Sequence, residues 1–243
     1  MRAKKADDLL LALPPKPAEI GPNGAAWLPV VDGFNIPDQP GNLLAAGTFA
    51  KVPIILGANK NEGTIFFKIG LTVTNDADYL TVVESIFPGA GAKVVAQYPS
   101  SSFPTAGDAA ADAIGDGLFV CPTRRSARGF AKGGAPTYHY EFTHPVDTAI
   151  FQGLGAFHSS EVPFIFQNPY LGFMLSGEEV NLSKTMVGYW FGLAKGGDPN
   201  GGTALPWPKY DPMAEQTMVL DLAPTTTTGL KKALCDFWDG LGP

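Results

Sequence analysis

One histidine of this chain, His158, lies in the mostly apolar segment Gly155–Phe166, and a glutamate, Glu161, follows it after two serines. An imidazole changes its charge near neutral pH, so this histidine could be a general base, a metal ligand or a hydrogen-bonded core residue. Earlier in the chain, a second carboxylate, Glu62, follows an apolar run. A carboxylate that orients a histidine is found in enzymes that activate a nucleophile. Spacing alone leaves these interpretations open.

A metal site at His158 has little support from the sequence. The other histidines, His139 and His144, belong to a predicted strand and its exit, and no second pair of metal-binding residues has the spacing of a ligand set. We therefore predict no metal ion and no cofactor, and the interpretations that remain for His158 are a structural residue or a general base.

The segments that must position these residues alternate between strand and helix patterns. Residues 52–58 form an apolar run typical of a buried strand, residues 138–142 alternate as a second strand, and residues 217–222 suggest a third. Between them, apolar spacing predicts helices over 76–87, over 105–133 with a break near Pro122, over 182–196 and over 229–241. The run Thr225–Thr228 is interpreted as a loop.

This alternation predicts an α/β fold with a mostly parallel sheet, flanking helices and long decorated loops. In such sheets ligands bind where the strands end at their carboxyl edge. Glu62 and His158 each follow a predicted strand, so we expect that they could meet at this edge. For the helix predicted over residues 76–87, the predicted N-terminal capping residue is Asp76.

Composition limits the classes of partner. Of the 243 residues, 45% are hydrophobic and 16% are charged, which predicts a globular chain with a substantial core. The net charge of −6 and the lack of a basic stripe argue against nucleic acid. No apolar run reaches the length of a membrane span. The N-terminal residues predict a short helix that ends at Pro14 and Pro15.

Several motifs, taken in order, resemble one family. They are "WLPVVDGFNIPDQPGNLLAAGTFAKVPIILGANKNEGTIFF", "DGLFVCPTRRSAR", "APTYHYEFTHP", "GAFHSSEVPFIF", "YWFGLAKGGDPNG", "WPKYDP" and "CDFWDGL". The chain resembles the type B carboxylesterases, the α/β-hydrolase family that includes the cholinesterases. The resemblance implies that Glu62 is the acid and His158 the base of a Ser-Glu-His triad, and that the substrate is a small-molecule carboxylic ester. Glu161 matches a second acidic position, for which we expect a supporting role as a hydrogen-bond strut.

The resemblance also assigns roles to four other residues. Ile65 and Phe66 would line the substrate pocket, although simple core packing explains them equally well. Cys121 and Cys235 match a disulfide pair of secreted cholinesterase-like enzymes. An even number of cysteines without a CxxC motif suits an oxidising compartment, so we expect a secreted or periplasmic protein.

The nucleophile of such a triad is not in this sequence. In this fold the serine precedes the acid and lies in a G-x-S-x-G turn, but none of the nine serines has this context, and no H-G-G-G-like loop occurs. We therefore expect residues 1–243 to be the C-terminal portion of a single α/β-hydrolase domain, without the N-terminal nucleophile-bearing part. Alone, the chain should be inactive. It should either pair with the N-terminal half of the same enzyme or self-associate through exposed apolar surface.

Two other functions compete with the esterase. Some cholinesterase-like proteins are non-catalytic adhesion or binding modules that keep the fold and lose triad residues. The presence of both Glu62 and His158 argues against this class. A structural piece with no function of its own is the third possibility.

Overall fold

A single mixed sheet organises the part of the chain that the computed structural model describes, which is residues 3–10, 12, 29–146, 148–168, 174–202 and 205–242. Within these residues the sheet has four strands in the order β1 (Ile54–Asn59), β2 (Thr137–Phe142), β3 (Gln216–Leu220) and β4 (Thr225–Thr228). β1 and β3 pair with β2 in parallel, and β4 pairs with β3 in antiparallel. The predicted α/β class with a mostly parallel sheet is confirmed.

Helices cover this sheet and supply the long connection between β1 and β2. Their bounds are α1 (Ala6–Leu10), α2 (Pro40–Ala45), α3 (Thr64–Ile69), α4 (Asp76–Ile86), α5 (Gly91–Gln97), α6 (Ala106–Gly115), α7 (Cys121–Lys132), α8 (Val162–Phe166), α9 (Glu178–Gly196) and α10 (Lys232–Gly240). A 3₁₀ turn occupies Ser100–Ser102. None of the helices in the described ranges combines the length and hydrophobicity needed to cross a membrane.

The central strand β2 is the most deeply buried element. All six of its residues are buried, whereas β1 is half-buried until its last two residues. A strand inside a parallel sheet is covered on both faces, which explains why an apparently alternating sequence can still be buried throughout. In register, Asn59 of β1 lies opposite Phe142 of β2, and Phe142 lies opposite Leu220 of β3. The carboxyl ends of the three parallel strands therefore meet at one edge.

Two predictions about secondary structure are wrong. The run Thr225–Thr228 is a strand rather than a loop, because it pairs with Gln216–Val219 along the exposed side of β3. Threonine is β-branched and fits an edge strand even without an apolar face. The residue that caps α4 is Asn75 rather than Asp76, since the Asn75 side chain accepts hydrogen bonds from the backbone N–H groups of Ala77 and Asp78.

The predicted break near Pro122 has an unexpected form. A π-helical turn, Asp116–Val120, joins α6 directly to α7, and Pro122 lies in the first turn of α7, where its missing N–H is not needed. At the N-terminus α1 is present, but Pro14 and Pro15, which were predicted to end it, lie outside the described residues.

The hydrophobic core has two parts, one on each side of the strand ends. The first packs β2 and β3 against α9 and includes Tyr138, Phe142, Met186, Tyr189 and Trp207. The second packs α4, α6, α7 and α10 together and includes Tyr79, Val83, Val94, Cys121 and Trp238. The predicted disulfide between Cys121 and Cys235 is present in the second part, with α-carbons 4.9 Å apart.

Candidate active site

Glu62 is held in a tight turn that follows β1. Its carboxylate accepts a 2.7 Å hydrogen bond from the backbone N–H of Asn59, and the side chain is only 6% exposed. The next residue, Gly63, lies so close to α6 that a Cβ there would overlap the carbonyl oxygen of Ala111. A Cβ on Gly115 would lie 2.9 Å from the backbone nitrogen of Gly63. The two glycines thus let α6 press the Glu62 turn against the sheet.

A loop that begins after β2 carries His158 to the same edge. An isolated parallel bridge joins Phe157 to Asn61, in the turn of Glu62. The backbone N–H of Asn61 donates to the Ala156 carbonyl at 2.9 Å, and the Ala156 N–H donates to the Asn61 side chain at 3.1 Å. Gly155 has a φ of 66°, and a Cβ there would overlap Asn61. The turn and the loop are therefore fitted to each other.

Glu62 and His158 are in direct contact at this edge. The second carboxylate oxygen of Glu62 lies 2.6 Å from Nδ1 of His158. Because an ionised carboxylate only accepts hydrogen bonds, this contact places a proton on Nδ1. The imidazole is 39% exposed, and Nε2 makes no hydrogen bond to any of the described residues. Nε2 can therefore take a proton from a group that approaches from this side.

The charges around His158 favour its protonated form. The hydrogen bond to Glu62 raises the pKa of His158 above its ordinary value, although burial of the ring acts in the opposite direction. The negative charges of Glu62 and Glu161 add to the increase. An imidazolium that forms during proton transfer would be stabilised here, which is the electrostatic role of an acid that orients a base.

Glu161 braces the loop through Asn59, the last residue of β1. The Asn59 side-chain amide donates to the Glu161 carboxylate at 2.6 Å and to the Phe157 carbonyl at 2.7 Å. Burial raises the pKa of Glu161, while the hydrogen bond from Asn59 lowers it. Asn59 is 1% exposed, so the amide is a buried link between β1 and the segment that carries His158.

Aromatic rings surround the exposed part of His158. The ring of Phe119 lies 4.5 Å from the imidazole, and that of Phe66 lies 5.8 Å from it. These two phenylalanines are stacked on each other at 5.8 Å with an angle of 15° between their planes. Ile65, by contrast, packs against the core around β2. Sequence reasoning missed Phe119, although it lies within the motif "DGLFVCPTRRSAR", just before α7 begins.

The remaining histidines are engaged elsewhere. Nδ1 of His139 lies 2.9 Å from the Thr217 hydroxyl, and burial lowers the pKa of His139 to about 4. His144 lies between Asp221 and Glu179. Within the described ranges, no three His, Cys, Asp or Glu side chains are grouped so that they could hold a metal ion.

Neither serine beside His158 has the geometry of an exposed nucleophile on a strand-to-helix turn. Ser159 has a positive φ of 70°, and this turn directs the chain into α8. Ser160 is buried, and its hydroxyl lies 3.4 Å from the Asn59 amide. Among the described residues, no serine hydroxyl is hydrogen-bonded to His158, whose hydrogen-bonding partner is Glu62.

Comparison with known proteins gives a consistent result. A model described as "Carboxylesterase family" matches residues 1–238. Carboxylesterase 5A of Felis catus is 35% identical, over 98% of this chain and 45% of the relative. The medium-chain fatty acyl-CoA hydrolase precursor of Anas platyrhynchos is 32% identical, over 86% of this chain and 41% of the relative. Acetylcholinesterase of Bungarus fasciatus is 29% identical, over 89% of this chain and 39% of the relative. The chain thus spans less than half the length of these relatives.

Proposed function

The chain belongs to the carboxylesterase family, and on that premise we propose that Glu62 and His158 are the acid and base of a serine ester hydrolase. The observation that carries the proposal is the 2.6 Å contact between Glu62 and Nδ1 of His158, together with an exposed imidazole whose other nitrogen faces no described partner. A base for nucleophilic catalysis needs this combination, because one nitrogen must be held and the other must exchange protons.

The reaction follows from these roles. A serine hydroxyl attacks the ester carbonyl while Nε2 of His158 takes its proton, and the Glu62 carboxylate stabilises the imidazolium. The imidazolium then gives the proton to the departing alcohol, which leaves an acyl-serine. In the second half, His158 activates a water molecule that releases the acid. The substrate is a small-molecule carboxylic ester, in keeping with the names of the relatives. Phe66 and Phe119 present an apolar surface to it.

The nucleophile and the oxyanion donors belong, in this proposal, to polypeptide outside these 243 residues. The absence of a G-x-S-x-G turn and the partial coverage of the relatives support this arrangement. Residues 1–243 would then be one portion of a single hydrolase domain. Within the described sheet β1 is an outer strand, so its open edge could pair with a further strand or, in isolation, with another copy. The buried disulfide supports a secreted or periplasmic location.

A non-catalytic adhesion or binding module is the second candidate. It is favoured by one observation, the lack of a serine in a nucleophile turn. It gives no reason, however, for a Glu62–His158 pair with an exposed imidazole, because a binding surface requires no proton acceptor. An adhesion module would also tolerate replacement of His158 by a polar residue of similar size.

The test begins with the reading frame upstream of Met1. We expect it to encode a G-x-S-x-G serine, and we call its product together with residues 1–243 the extended polypeptide. The extended polypeptide should hydrolyse p-nitrophenyl acetate and butyrate with a burst, react covalently with a fluorophosphonate, and lose both properties in His158→Gln. The 243-residue chain should show only the slow ester cleavage typical of free imidazole.

Two results would contradict the proposal. The first is saturable turnover above about 1 s⁻¹ by the 243-residue chain that disappears in His158→Gln, which would keep His158 as the base but contradict a nucleophile outside this chain. The second is an extended polypeptide that folds but neither turns over esters nor reacts with the fluorophosphonate, which is the expected behaviour of an adhesion module.

A further inference from the structure

The π-helical turn between α6 and α7 brings an aromatic ring to the candidate base. Phe119 is the fourth residue of this turn, Asp116–Val120, and its half-buried ring lies 4.5 Å from the His158 imidazole. A π turn inserts an extra residue into a helix and changes the direction in which the following side chains point, and such turns often occur at functional sites. Here the insertion decides which residue of the long helical segment faces His158.

Both ends of this turn are attached to α10. The ammonium group of Lys231, the residue before α10, donates to the Asp116 carboxylate at 2.6 Å. Cys235, in α10, forms the disulfide with Cys121, directly after the turn. Asp116 and Cys121 are five residues apart, which is one step of a π helix, whereas Lys231 and Cys235 are four apart. The two attachments therefore bracket the extra residue.

The middle of the turn packs against the same face of α10. A Cβ on Gly117 would lie 2.6 Å from the Phe87 ring and 2.7 Å from the Trp238 ring. The Trp238 indole N–H donates to the Tyr98 hydroxyl at 2.9 Å, and this hydroxyl donates to Asp116 at 2.8 Å. Trp238 is three residues beyond Cys235, so it extends the same helical face.

The ion pair between Asp116 and Lys231 keeps the π turn from rearranging. Asp116 is 1% exposed and the Lys231 side chain is 20% exposed, so the pair lies largely out of water. Burial opposes the charge of Lys231, but the hydrogen bond and charge of Asp116, together with the charges of Asp112 and Glu141, outweigh it, and the pKa of Lys231 is raised. Removing one partner of a buried pair leaves the other charge without compensation, which is more costly than losing an exposed pair.

We propose that Phe119 is a positioning and specificity-determining residue of the site, and that α10 fixes it there by holding both ends and the middle of the π turn. Phe119 carries no acid or base, so its effect is physical. It covers part of the imidazole, restricts the ring orientation, and forms with Phe66 an apolar wall. The substrate part of this inference rests on the proposed function, in which the wall contacts an apolar acyl group of the ester.

Histidine NMR of the 243-residue chain tests the placement without any activity. The chain has three histidines, and His158→Gln identifies the His158 signals. Phe119→Leu should remove the contribution of Phe119 to the ring-current shift of the His158 ring protons and leave the signals of His139 and His144 unchanged. Lys231→Met should move the His158 signals in the same direction. Lys232→Met is the matched control, because the adjacent Lys232 is 58% exposed and pairs with Asp236 rather than with the π turn.

Unchanged His158 signals in Phe119→Leu, or equal effects of Lys231→Met and Lys232→Met, would overturn the inference. If Lys231→Met fails to fold, which collapsed signals of all three histidines would reveal, Gly117→Ala replaces it. Its Cβ must displace the turn from Trp238 and Phe87, so the His158 signals should shift while those of His139 and His144 remain. No selective shift in Gly117→Ala would then count against the role of α10.

The specificity part uses the extended polypeptide. Phe119→Leu should change the ratio of kcat/KM for p-nitrophenyl butyrate over acetate by roughly tenfold, since apolar contacts of one or two methylenes discriminate on this scale. An unchanged ratio with a normal ring-current result would reject the specificity role only. An inactive extended polypeptide with the expected NMR shifts would reject the proposed function and leave the placement by α10 intact.

Discussion

His158 and His144 have similar surroundings but differ in the contacts of their ring nitrogens and in their exposure. Each follows β2 in sequence and contacts carboxylates at the edge where the parallel strands end. Nδ1 of His144 lies 3.2 Å from Asp221, and Nε2 lies 3.2 Å from Glu179. Among the described residues, His158 contacts one carboxylate, that of Glu62, at 2.6 Å. The side chain of His144 is 10% exposed and that of His158 is 39% exposed.

The second nitrogen therefore decides what each histidine can do. With both nitrogens occupied, His144 links the exit of β2 to the end of β3 through Asp221 and to the first turn of α9 through Glu179. It has no position left from which to receive a proton from a substrate. His158 is held from one side only, so the same side chain becomes a candidate base. A histidine beside a carboxylate is thus insufficient to identify a catalytic site.

The largest expected difference is in turnover. In the extended polypeptide, His158→Gln should lower kcat by on the order of 10⁴ or more, because the base of a triad acts as a unit with the nucleophile. His144→Gln should leave kcat within about threefold, since His144 touches neither the Glu62 turn nor the His158 ring. The measurement is the initial rate with p-nitrophenyl butyrate. Comparable losses in the two variants would remove the distinction between them.

The orienting carboxylates should differ almost as much. Glu62→Gln should reduce kcat by on the order of 10³–10⁴, because the amide cannot stabilise an imidazolium. Glu179→Gln, the matched change at His144, should leave kcat nearly unchanged. A rate loss in Glu179→Gln as large as that in Glu62→Gln would contradict the assignment of the acid.

The pH dependence of Glu62→Gln provides a second measurement. The base works when neutral, so kcat/KM should rise with pH through the His158 pKa, which Glu62 raises. Glu62→Gln should move this midpoint to lower pH. Stability runs in the opposite direction, because a group whose pKa is raised on folding stabilises the fold below its unfolded pKa and loses this contribution as pH rises through the folded value. NMR titration of His158 gives the midpoint directly, and an upward shift would contradict the role of Glu62.

The effect on the free energy of unfolding should be larger for His144 than for His158, the reverse of the effect on kcat. His144→Gln should lower the free energy of unfolding by about 1–3 kcal/mol, because the His144 side chain is only 10% exposed and its ring contacts both Asp221 and Glu179. His158→Gln should cost less, since its ring is partly exposed. Urea denaturation of the 243-residue chain measures both. A smaller loss in His144→Gln than in His158→Gln would show that His144 is not the structural member of the pair.

The smallest expected effect concerns the contact between His144 and Glu179. Glutamine at position 179 keeps an oxygen that can accept a hydrogen bond from the His144 ring, so Glu179→Gln should cost only about 0.5–1 kcal/mol. The double variant with His144→Gln should show coupling, because Glu179 has nothing to gain once the imidazole is absent. Strict additivity in urea denaturation would mean that the 3.2 Å contact contributes no stability.

The sequence predicted the strands of the parallel sheet because β1 and β3 are short apolar runs and β2 has an alternating pattern. It left the pairing of Glu62 with His158 open, because the contact depends on the register that brings Asn59 beside Phe142. The disulfide came from a family resemblance rather than from spacing, since 114 residues separate its cysteines.

The features that the sequence did not predict arise from tertiary contacts. The four threonines of β4 have no alternating pattern and become a strand only by pairing with β3. Phe119 faces His158 only because of the π turn, whose ends are held by residues more than 110 positions further along the chain. No local propensity reports such constraints, so a helix with a proline near its middle predicts a break rather than an inserted residue.

The bridge between Asn61 and Phe157 has a consequence for folding kinetics. We expect it to close after β1 and β2 have paired across the long crossover of residues 60–136, because such non-local contacts form slowly. We therefore expect Glu62 and His158 to be brought together late in folding. The N–H groups of Asn61 and Ala156 make the hydrogen bonds beside this bridge. Their amide hydrogens should therefore exchange together whenever the bridge opens. The 2.6 Å contact between Glu62 and His158 should therefore form together with the slowest part of folding.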